Sequence, residues 1–134
     1  MTLRTGPTWL AAGLALLVGG CVVAAVGAGA GGGIYFSERG AESVVPAGIE
    51  RALAATRRAL AQLGVRETGS KVEDEGRERE VSGRAGRRDV DVTVKLKAER
   101  PGYTRVEVVA RKSAVTWDKD FARTVLEKIV AFSR

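Results

Sequence analysis

The sequence predicts an α+β domain: a two-layer sandwich in which one antiparallel sheet is packed by two helices, in the order β-α-β-β-β-β-α. Three observations lead there. Two stretches, near residues 49–63 and 121–132, repeat apolar residues at the spacing of an α-helix. Between them, from Val65 to Arg111, the repeat falls to two, the period of half-buried strands. The run from Trp9 to Phe36 has no charge at all, so the N-terminal segment stands apart from the domain.

The first strand is read at Ala41-Glu42-Ser43-Val44-Val45, since the proline that follows pushes Val45 toward extended geometry. Pro46 suits the first turn of a helix. In that helix Ile49, Leu53, Thr56, Leu60 and Leu63 form one stripe, and Gly64 supplies the stop. Val65 to Glu73 then reads as a strand, Asp74-Glu75-Gly76 as a turn, and Arg77 to Gly83 as its partner. Residues 66–88 carry 13 charges, seven basic and six acidic, so this hairpin reads as the solvated part of the sheet or as an edge. Asp89 to Lys97 alternates most cleanly, with Val90, Val92, Val94 and Leu96 on one face. Pro101-Gly102 turns the chain, and Tyr103 to Arg111 returns with Val106, Val108 and Ala110 inward. Thr116 or Asp118 caps the last helix, whose stripe is Phe121, Val125, Ile129 and Phe132. Trp117 is expected to pack, closing that helix over the sheet, with contact to a ligand or a membrane interface as the other reading.

Composition narrows the chemistry. The 134 residues include no histidine and one cysteine. Histidine acid–base chemistry, Ser-His and Cys-His pairs, His/Cys zinc sites and an internal disulfide are therefore excluded. No catalytic constellation remains, and neither an enzymatic activity nor a cofactor or metal is expected. The formal charge of +6 suits anionic partners, and equally describes a soluble surface rich in arginine.

The N-terminus speaks to location. Arg4 precedes the apolar run from Trp9 to Val18, the layout of an export signal. Val18-Gly19-Gly20-Cys21 resembles the bacterial lipobox, in which an aliphatic and two small residues precede a lipidated cysteine. Residues 1–20 are thus expected to be a lipoprotein signal peptide, residues 21–40 a lipidated cysteine and Gly/Ala-rich tether, and residues 41–134 the extracytoplasmic domain. Acyl chains such as palmitate on Cys21 would anchor the chain, each buried methylene contributing about 0.8 kcal/mol. Val22, where sorting in Gram-negative cells turns on an aspartate, points to the outer membrane facing the periplasm. A second reading stays open: the uncharged run is also long enough for an uncleaved helix crossing a bilayer roughly 30 Å thick.

Four further patterns were weighed. Gly27-x-Gly29-x-x-Gly32 matches a dinucleotide fingerprint in letters only, because no strand precedes it. Gly64-x-x-x-x-Gly69-Ser70-Lys71 resembles a phosphate loop but follows a helix and enters a strand. Glu73-Asp74-Glu75 lacks the ligand spacing of a calcium loop. Arg84, Arg87 and Arg88, read as lying in a turn, are the candidate anion-binding residues, with Arg51, Arg57 and Arg58 of the first helix beside them. Interleaved acids and scarce aromatics argue against nucleic acid as their partner. An envelope protein or an anionic envelope polymer fits better, and no feature fixes an oligomeric state.

The lipobox, the Gly/Ala-rich stretch, the Pro-led helix ending Ala59-Leu60-Ala61-Gln62-Leu63-Gly64, the strand Val90-Asp91-Val92-Thr93-Val94-Lys95-Leu96 and the final helix together resemble a family of small bacterial lipoproteins, domain of unknown function 3568. The resemblance spans roughly Cys21 to Val130 and implies no known activity or catalytic residue.

Overall fold

The computed structural model describes residues 33–134. Cys21 with its preceding Val18, Gly19 and Gly20, and the glycines before Gly33, lie outside the described residues. Nine elements follow in order: β1 (Tyr35–Phe36), β2 (Gly40–Val45), α1 (Ile49–Gln62), β3 (Val65–Glu73), β4 (Glu78–Ala85), β5 (Val90–Arg100), β6 (Tyr103–Ser113), β7 (Thr116–Trp117) and α2 (Lys119–Phe132). The sheet is antiparallel, in the order β1-β2-β6-β5-β4-β3, with β7 added beside β6. Both helices cover one face. The expected α+β sandwich is therefore present, with two short strands added.

Alternation builds the core. Val81, Val90, Val92, Val94, Leu96, Val106 and Val108 point to the helix side and are essentially solvent-free. From above they meet Leu53 and Leu60 of α1 and Phe121, Val125, Leu126 and Ile129 of α2. Burying such a side chain contributes roughly 1.5–3 kcal/mol. A second contact joins the helices, where the Arg58 guanidinium lies 4.2 Å from the Phe132 ring.

Several boundaries differ from the sequence reading, each for a local reason. The sheet begins at Tyr35, inside the stretch assigned to the tether, because Tyr35 and Phe36 pair with Glu42 and Ala41. Pro46 is not in the first helical turn: α1 starts at Ile49 with Gly48 as its cap. Buried Thr104 donates a hydrogen bond of 2.7 Å to the Ala47 carbonyl, holding residues 46–48 as a separate crossing. Thr116 belongs to β7, and Asp118 alone caps α2, accepting from the Phe121 amide at 3.0 Å. Of the charged hairpin, β3 forms the sheet's edge, with every residue after Val65 exposed, while β4 lies between β3 and β5. Among the described residues no helix is long and apolar enough to cross a membrane.

Candidate functional site

Register places the polar residues of the helix-free face in rows that run across the strands. One row, from β2 to β3, is Glu42, Glu107, Lys95, Glu80, Lys71. The next contains Gly40, Val109, Thr93, Ser82 and Gly69, without a charge. Beyond it come Arg111, Asp91, Arg84 and Arg66, with Trp117 paired to Arg111. Small residues between two charged rows leave a trench of about 950 Å³, floored by Val109, Thr93 and Ser82. Trp117 lines its end and carries Arg39, 5.5 Å from the ring. Trp117 is thus half-buried on the helix-free face rather than packed beneath α2, since β7 pairs it with Arg111 on that face.

Arg84 lies in β4 and not in a turn. It binds Asp91 at 2.7 Å and also Asp89, so one guanidinium ties two carboxylates together. The hydrogen bond to Asp91, with the charges of both acids, holds the Arg84 proton more firmly than usual. Arg87 and Arg88 do lie in the turn between β4 and β5. Arg88 reaches toward Asp118 at 3.9 Å and covers the Phe121 ring at 4.4 Å. Arg87 is exposed and has no carboxylate within 4 Å among the described residues. The three predicted arginines are neighbours at one end of the sheet, but two of them are engaged internally.

The helix arginines stand elsewhere. Arg57 pairs with Glu67 at 3.0 Å, and Arg51 donates to the Ser133 carbonyl at 3.1 Å, so they join α1 to β3 and to the C-terminus. At the opposite end of the sheet from Arg87, Arg105 binds Glu99 at 2.7 Å and also Glu42, which stabilises its cationic form. That contact from Arg105 is the main reason the Glu99 carboxyl titrates below its ordinary range. Glu73 ends β3, Asp74 and Glu75 occupy the exposed turn before β4, and no three acidic side chains converge there or elsewhere among the described residues. Gly64 ends α1 while Gly69, Ser70 and Lys71 lie in β3, so the phosphate-loop letters frame no helix N-terminus.

The sequence reading missed the trench and the cations around it other than Arg84. A residue-by-residue scan treats Thr93, Ser82 and Val109 as solvent-side strand positions, and only register aligns them.

Beyond its own geometry, the chain matches a protein-family profile described as "protein of unknown function (DUF3568)" over residues 7–131. No curated protein matches it.

Proposed function

This chain belongs to the DUF3568 family, and we propose that it is a lipid-anchored, non-catalytic binding module of the bacterial cell envelope. The observation that carries the reading is Val18-Gly19-Gly20-Cys21, set directly after an uncharged apolar run and holding the chain's single cysteine. Signal cleavage before Cys21 and acylation of its thiol would leave the sheet and helices on a short leash outside the cytoplasm. Val22 favours the outer membrane, facing the periplasm, in a Gram-negative cell. No cofactor is assigned beyond the covalent lipid. The absence of histidine supports a binding rather than a catalytic role, and the helix-free face is the natural place for a partner. Small floor residues leave room there, while the opposite face is filled by helices.

Growing cells with a clickable fatty acid tests the anchor. The wild-type chain should take up label and the Cys21→Ala chain should not. Label retained by Cys21→Ala would overturn the lipoprotein reading, and a label-free wild-type chain that stays in membranes would favour an uncleaved span.

A further inference from the structure

We propose that the end of the sheet formed by the β1–β2, β4–β5 and β6–β7 turns and the start of α2 docks on an anionic bilayer surface. The two ends of the sheet differ in how many exposed cations lack a carboxylate partner. At the far end Arg77, Arg79, Lys97 and Arg105 each pair with a carboxylate, on Asp74, Glu50, Glu78 and Glu99 respectively, and exposed Arg100 lies over the Tyr103 ring. At the near end Arg84 and Arg88 are paired with Asp89, Asp91 and Asp118, but Arg39, Arg66, Arg87, Lys112 and Lys119 are all exposed, and none of these five has a carboxylate within 4 Å among the described residues. Arg111 there donates only to the Ser113 and Ala114 carbonyls, at 3.0 and 3.1 Å. The tip of the same end is Val115, which at 77% is the most exposed of the large apolar side chains among the described residues.

The form of this patch selects its partner. A small free anion needs donors that converge on one point. These cations instead come from separate segments and spread over a whole end of the domain. Cations spread around an apolar tip match a plane of phosphate headgroups, where charge attracts and the tip enters the interface. The inference rests on the proposed anchor only for proximity: Gly33 is twelve residues beyond Cys21, a reach of about 40 Å at full extension. Each cation near such a surface raises partitioning about fivefold, and salt screens the effect.

The test uses the full chain with Cys21→Ala and Val115→Cys, labelled at the new thiol with an environment-sensitive dye. It is mixed with phosphatidylcholine vesicles, with or without phosphatidylglycerol. The dye should shift to the blue only when phosphatidylglycerol is present, and salt should reverse the shift. A dye at Glu75→Cys, at the far end, should not respond. Adding Arg87→Glu, Lys112→Glu and Lys119→Glu should abolish the shift while the circular dichroism spectrum is kept. Equal emission in both vesicle types, an equal response at position 75, or a shift surviving charge reversal would overturn the proposal. Competition by inorganic phosphate at matched ionic strength would also overturn it, in favour of a discrete anion site. Because these chains lack Cys21, the result is independent of fatty-acid labelling, and failure of the anchor would be seen separately.

Discussion

Gly40 sits where β2 passes β6, and a Cβ there would lie 1.9 Å from the Val108 carbonyl oxygen. Backbone rather than a flexible side chain would have to move, so Gly40→Ala should cost about 1–3 kcal/mol, read as a lower urea midpoint. Glu99 carries a different signature. An ordinary glutamate titrates near pH 4.3, and Arg105 holds this one lower. Its contribution is therefore complete above about pH 4.3 and lost as pH falls through the depressed folded value. Glu99→Gln should flatten the acid side of the melting-temperature profile and leave neutral pH little changed, as thermal melts across that range would reveal. Neither effect was legible in the sequence. Gly40 and Glu99 acquire their neighbours Val108 and Arg105 from 68 and 6 residues away, through register that composition does not encode.

The elements with a strong period were the legible ones. β5 and β6 were read from alternating valines, and α1 and α2 from apolar stripes, because one face of each must be dry. β1 and β7 have two residues each, too short for any period, and exist only because β2 and β6 offer them an edge. Pro46 misled for a related reason: a proline fits a first helical turn, but it equally fits the crossing that Thr104 holds. Charge marks the β3–β4 hairpin as solvated or an edge, β3 is the edge strand, and its exposure on both faces has a dynamic result. Few buried side chains resist its opening, so its amides beyond Val65 should exchange with deuterium much faster than those of β5. Equal protection along β3 and β5 would contradict this account.

Over the whole molecule, the arrangement separates roles by face. Helices fill one side with carbon, the other side keeps an open polar trench, and a group of exposed cations without a carboxylate partner lies at one end. The sandwich itself could be read from periodicity. The trench and the charge asymmetry could not, because the trench depends on strand register and the cationic end on turns from distant parts of the chain. The order β1-β2-β6-β5-β4-β3 also sets a timetable. β3 to β6 form a meander joined by short turns, whereas β2 must wait for a strand whose residues lie 59 to 69 positions later. Closing that long loop comes late in folding, after the meander has assembled. Val45→Ala in β2 should therefore mainly accelerate unfolding, while Val94→Ala in β5 should slow refolding, a contrast that chevron plots of the two variants would expose. During synthesis the first long strand emerges well before its partner. Until Val109 follows, the core lacks one wall, and the nascent domain depends on whatever shields Ala41 and Val45 in the meantime.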